Sequence, residues 1–158
     1  MSSARERYEK GKALEKQVAL WLKRVFGFEV KSSEQVHGAS VKRPHEVDVH
    51  AWKEIKRFLG LKRTYLDVWV ECKATRVKRM HVMKLLEQAR DVRDAYEEGK
   101  EEWYPHILMI VSSEGFDDDA LRLADKYGIY CVLRKKGRYE FVGEMTREDF
   151  EEGIESEY

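Results

Sequence analysis

Between Pro105 and Ser112 the chain runs His-Ile-Leu-Met-Ile-Val, five consecutive apolar residues after one histidine. A strand with no polar alternation has no solvent face, so it must be covered on both sides, as a parallel strand between helices is. That excludes a sheet wetted on one face and calls for amphipathic helices on either flank. Both flanks supply one. Upstream, Val82, Leu85, Ala89, Val92 and Tyr96 recur at helical spacing and predict a helix over 79–98. Downstream, Asp117, Asp118 and Asp119 suit the positive end of a helix, which carries Ala120, Leu121, Ala124 and Tyr127 inward and stops at Gly128. A second buried strand over 129–133 follows, then a further strand around 139–142 and a short acidic tail helix.

The N-terminal half has a different rhythm. Leu14, Val18, Trp21 or Leu22, and Val25 give one apolar stripe with Gly27 as its stop, predicting a helix over 4–26. Residues 28–36 read as a strand of mixed quality, and 38–44 have turn composition. Over 46–52 the pattern alternates, which sets Val47, Val49 and Ala51 on one face and Glu46, Asp48 and His50 on the other. A basic connection leads to the clearest strand, 65–73, Tyr-Leu-Asp-Val-Trp-Val-Glu-Cys-Lys. The order helix, three strands, helix, strand, helix, strand implies an α/β fold with a central mixed sheet. Short links make the first three strands an antiparallel meander, and the later strand-helix-strand passages right-handed parallel crossovers.

With 158 residues, 42% of them hydrophobic, the chain is expected to form one domain with a core over about 8–135 and a C-terminal strand and helix over about 136–158. Cys72 and Cys131 lie in separate apolar runs and read as buried hydrophobes, not as a disulfide or a zinc site. This favours a reducing, cytoplasmic setting, and no apolar run approaches the roughly 20 residues of a membrane span. Charged residues make up 38% of the chain, asparagine is absent, and glutamine occurs three times, a bias that resembles proteins of very hot environments. The net charge of zero hides an asymmetry: residues 1–80 hold 19 Lys and Arg against 10 Asp and Glu, and the remainder 11 against 20. A basic face for phosphate is compatible with that neutral total.

Glu71 and Lys73 are two apart on a strand, so their side chains leave one face while Val70 and Cys72 pack on the other. A Glu and a Lys in a strand entering a core are costly unless they serve or neutralise something. Asp48 comes alongside if the two strands pair. Two carboxylates with the main-chain carbonyl of Cys72 make a hard, oxygen-lined site suited to Mg²⁺, and Lys73 could orient or deprotonate an attacking water. Glu-x-Lys by itself is common as an exposed ion pair. Glu15, bordering the apolar stripe of the first helix, adds a further carboxylate placed to look towards the sheet, against an ordinary pairing with Lys12 or Lys16.

Glu15, Asp48, Glu71-Cys72-Lys73 and Gln88, in this order of elements, resemble the PD-(D/E)-x-K, or restriction-endonuclease-like, nuclease superfamily. The stretch from Ile107 through Ser112-Ser-Glu-Gly-Phe116, Ala120, Ala124 and Gly128-Ile129 looks like the end of an Mrr-type restriction endonuclease domain, so the likeness covers roughly residues 8–135. The resemblance implies that Asp48 and Glu71 bind metal, that Lys73 activates water, that Glu15 supports the metal or its waters, and that Gln88 lies near the lysine. Two departures stand out. Pro44 precedes Asp48 by four residues, so Glu46 contests the ligand role. The third strand carries Glu71 where Mrr-type domains commonly have Gln.

The expected activity is endonucleolytic hydrolysis of DNA phosphodiester bonds with Mg²⁺, which Mn²⁺ would replace, and with no small-molecule cofactor. A homodimer would cut both strands. Lys42, Arg43, Lys53, Lys56, Arg57, Lys62, Arg63, Arg76, Lys78 and Arg79 form the expected DNA rim, and Phe58, Leu59 and Leu61 a dimer contact. A Holliday-junction resolvase, similar in fold and residues, is the alternative within the class. A catalytically silent DNA-binding or scaffold protein is the alternative outside it, and the intact acidic set with Lys73 argues against it. The five histidines show no metal-ligand spacing.

Overall fold

The computed structural model describes residues 3–56 and 63–155. In chain order the elements are α1 (Ala4–Phe26), β1 (Glu29–Val36), β2 (His45–Lys56), β3 (Arg63–Lys73), α2 (Arg79–Glu97), β4 (Ile107–Ser112), α3 (Asp118–Lys126), β5 (Tyr130–Lys135), β6 (Arg138–Val142) and α4 (Arg147–Glu155). The six strands form one sheet in sequential order. β1, β2 and β3 are an antiparallel meander, β3, β4 and β5 run parallel through the helical crossovers, and β6 returns antiparallel.

Two cores lie on opposite sheet faces. On one, Leu14, Val18 and Leu22 of α1 pack over Val49, Val68, Val70 and Val111, and Phe150 of α4 closes the layer. On the other, Val82, Leu85, Val92, Ala120 and Leu123 of α2 and α3 cover Trp69, Ile110 and Cys131. β4 is therefore covered on both faces, as its lack of alternation requires. α1 begins on Ser3, whose hydroxyl accepts the Glu6 N–H, and ends at Gly27 in the left-handed conformation (φ 75°). Among the described residues no helix is long and apolar enough to cross a membrane. Both cysteines are buried and unpaired, and burial raises both thiols, Cys131 to about 12.

Four side chains depart from the periodic reading. Val25, Tyr96 and Tyr127 are exposed: Phe26 and Leu123 occupy the places that the stripes assigned to the first and last, and Tyr96 sets its ring against Tyr104 outside the core. Val47 joins the α2-side core while Val49 and Ala51 belong to the α1-side core. The alternation of β2 therefore breaks between them, at Asp48. Across from it the β1–β2 ladder omits the Ser33–Asp48 rung, and Ser33 has φ 55°, a left-handed conformation costly for a residue with a Cβ.

Candidate active site

The break in β2 frees the Asp48 carboxylate from the regular strand pattern. Its Oδ2 accepts the Cys72 N–H at 2.8 Å, taking the place of a ladder bond just beyond the last β2–β3 pair, Val49–Val70. Asp48 is thereby fixed against the end of β3. Glu71 and Lys73 leave β3 on its α2 side, opposite Val70 and Cys72. In an extended strand a residue's N–H and carbonyl leave along the same edge, so the Cys72 carbonyl lies on the Asp48 side.

Asp48, Glu71 and Lys73 line a cleft of about 200 Å³ with Glu46, His81, Lys84 and Gln88. The last three occupy one stripe of α2 at spacings of three and four. Only Gln88 was expected of this stripe; the helical spacing of His81 and Lys84 with it was the available signal. His81 Nδ1 accepts the Lys78 backbone N–H at 2.9 Å, which leaves the ring proton on Nε2. Burial and then Lys73, Lys78 and Lys84 hold its pKa below the ordinary histidine value, so the ring is neutral.

Glu15 reaches the site from α1. It is only 6% exposed, and its carboxylate lies within 4.8 Å of ligand oxygens of Glu46 and Asp48. Lys12 bridges Glu15 and Glu46 at 3.3 Å each and donates to Ser33 Oγ at 2.9 Å; Ser33 in turn donates to Glu15 at 3.3 Å. The Ser33 distortion thus places a hydroxyl beside the acidic group. Glu46, contesting Asp48 for one ligand place in the sequence, stands beside it in space.

Asp48 and Glu15 lie too close to other carboxylates, and too far from water, to ionise at their ordinary values. Burial, then hydrogen-bonding and charge from Glu71, push Asp48 up to about 8, against the Cys72 N–H, which stabilises the anion. Burial and then Asp48 raise Glu15 to about 7 in spite of Lys12. Neutral or proton-sharing carboxyls result near pH 7. A cluster with this excess of buried oxygen acceptors can hold a hard divalent cation.

The walls around the cleft are fixed by polar clamps. Asp91 of α2 accepts the Ser40 N–H and pairs with His45 Nε2, both at 2.8 Å, holding the β1–β2 connection. Although burial opposes it, these hydrogen bonds keep Asp91 below the ordinary aspartate value. After Lys73, Ser112 Oγ donates to the Thr75 carbonyl and accepts the Glu114 and Gly115 N–H groups, joining the β3–α2 and β4–α3 connections.

The basic residues scatter. Lys42 and Arg43 are exposed in the β1–β2 connection, and Lys78 and Arg79 stand at the start of α2. Arg76 pairs with Asp117 and donates to the Phe116 carbonyl at 3.1 Å. Lys53 donates to the Phe26 carbonyl at 2.9 Å, so it neutralises the C-terminal end of α1 instead of joining the rim. Lys56 and Arg63 end the β2–β3 ladder, facing each other in register. Arg57 and Lys62, with Phe58, Leu59 and Leu61, lie outside the described residues.

Solved structures share parts of this architecture. A protein of unknown function, AF1548, matches with a TM-score of 0.56 and 21% identity over 77% of this chain and 56% of its own. A repair endonuclease from Pyrococcus abyssi matches with a TM-score of 0.44 and 18% identity over 78% of this chain and 46% of its own. The chain spans about half the length of these structures. No family model matches the sequence, and no curated protein matches it significantly.

Proposed function

We propose that this chain is a divalent-metal-dependent nuclease that hydrolyses phosphodiester bonds in DNA. The observation that carries the reading is the convergence of Glu15, Asp48 and Glu71 from three separate elements, with Lys73 on the same strand face as Glu71. Such an arrangement is costly to the empty fold, and a cation with a phosphate offsets the cost.

Asp48, Glu15 and Glu46 would supply oxygens for the cation, with Glu71 and the Cys72 carbonyl bordering them. Mg²⁺, or Mn²⁺ in its place, would supply Lewis-acid charge at the scissile phosphate. Lys73 orients the attacking water and binds a non-bridging phosphate oxygen, where charge accumulates in the transition state. Gln88 holds a hydrogen-bonding position near the lysine, and neutral His81 offers an Nε2–H without adding a charge. Lys84, Lys78 and Arg79 give the incoming backbone a positive approach along α2. Two copies acting together would cut both strands.

The test is cleavage of linear, supercoiled and four-way-junction DNA with and without Mg²⁺, by wild type and Lys73→Ala. Metal-dependent cutting that falls at least about a hundredfold in the variant is expected. Preference for the junction would identify a resolvase. If both proteins are inert on every substrate yet bind DNA, the enzyme reading fails.

A further inference from the structure

A second, larger pocket of about 810 Å³ opens on the α2 side of the sheet, further along β2 from Asp48. Its rings come from Trp52 of β2, Tyr65 of β3, Tyr96 of α2, and Trp103, Tyr104 and His106 before β4. Tyr65 and Tyr96 are 45% and 43% exposed, so ring surface is available to a ligand.

Beneath the rings lies a closed charge network. His50 bonds Glu34 through Nδ1 at 2.5 Å and Asp67 through Nε2 at 2.8 Å, and its ring stacks on Trp103 with centroids 3.6 Å apart and planes within 7°. Burial alone would lower the histidine, but the two carboxylates raise it. Lys31 adds a second cation 3.9 Å from Glu34. Two cations thus face the buried Asp67 and the half-buried Glu34, and His106 Nδ1 accepts the Asp67 N–H at 3.0 Å.

This chemistry selects the occupant. His50 and Lys31 offset Glu34 and Asp67, and Glu102 on the rim adds a carboxylate and no cation, so the pocket offers no positive field for a phosphate. What remains is a neutral floor under aromatic walls, with lysine and tyrosine donors and carboxylate acceptors at the edges. A flat, uncharged ring with mixed donors and acceptors fits it. At roughly 3.3 Å per residue, His50 is roughly 7 Å and Trp52 roughly 13 Å along β2 from Asp48. We propose that this pocket stacks an unpaired nucleobase of the strand whose phosphate lies at Lys73, so that the protein binds single-stranded or locally opened DNA through base faces as well as phosphates. The inference rests on the nuclease reading for the position of the strand.

Binding is measured in Ca²⁺ with tryptophan fluorescence, using a twelve-residue oligothymidylate and a strand of equal length made of abasic sites. Both carry the same phosphates. The thymidine strand is expected to bind between about fivefold and about a hundredfold tighter. Tyr65→Ala and Tyr96→Ala remove exposed rings, and their combination should reduce this preference at least threefold while leaving abasic-strand affinity within twofold. An unchanged thermal midpoint shows that the fold is kept. Equal affinity of wild type for the two strands overturns the proposal, as does an unchanged preference in the double variant, or a response to tetramethylammonium greater than that to thymidine. Cleavage lost only in Lys73→Ala, with no base preference, would leave the nuclease standing and remove the pocket. Neither cleavage nor binding of either strand would remove both.

Discussion

Replacing Asp48 with Asn tests whether the cleft holds more negative charge than the metal-free fold can neutralise. The ordinary aspartate value is 3.8, and in the folded cleft it stands at about 8. Because the folded value is the higher one, the folded state holds this proton more tightly than the unfolded chain. Stability is then greatest below about pH 4 and falls as pH rises towards 8. Each unit is worth about 1.4 kcal/mol, so at pH 7 the ceiling on the loss is about 4 kcal/mol. Local relaxation and water entry take up part of this, leaving about 2 kcal/mol. Asn keeps a carbonyl oxygen for the Cys72 N–H and presents an amide to Glu15 and Glu71 in place of a repelling charge. In chelator at pH 8 the variant should be about 2 kcal/mol more stable than wild type, or about 4–8 °C in Tm, with the difference shrinking at pH 5. Guanidinium unfolding at both pH values measures it. Mg²⁺ should stabilise the wild type and hardly affect the variant, which is expected to be inactive. An Asp48→Asn protein no more stable than wild type at pH 8, with the same pH slope, would refute the argument.

His50→Leu removes the cation between Glu34 and Asp67 and should cost about 3–5 kcal/mol by leaving the buried Asp67 carboxylate without the cation bonded to it. The raised histidine value places its stabilisation fully below pH 6.5 and removes it as pH rises through the folded value, so denaturant unfolding should show the wild-type advantage narrowing in alkali. Gly38→Ala sets a Cβ 1.8 Å from Asp91 Oδ2 and 2.7 Å from His45 Nε2. The Asp91 clamp must open, and a loss of about 1–3 kcal/mol is expected in thermal unfolding, with a weaker cleavage rate because β2 starts from that clamp.

The order of helices and strands was legible because it depends on local periods. Yet β2 runs on to Lys56 and β3 starts at Arg63, through residues that read as a basic connection but extend the β2–β3 ladder. The unbroken apolar run of β4 demanded cover on both faces, and α2 and α3 supply it. The same-face relation of Glu71 and Lys73 follows from alternation along one regular strand. The period fails where pairing overrides it: Val47 was placed with Val49, but the distorted rung at Ser33 and Asp48 sends the two valines to opposite cores. Lys53 looked like one more phosphate contact and is spent on the Phe26 carbonyl.

By itself, then, the sequence determined an α/β chain with a mixed sheet and named carboxylates and a lysine suited to phosphate chemistry. Only the tertiary structure decided that Glu15 and Glu46 meet Asp48, that His81 and Lys84 face Lys73, and that rings from four separate segments enclose one pocket. Periodicity reports which way a side chain leaves its own backbone. Distance between side chains on different elements depends on register and helix packing, which arise when remote segments are buried against one another.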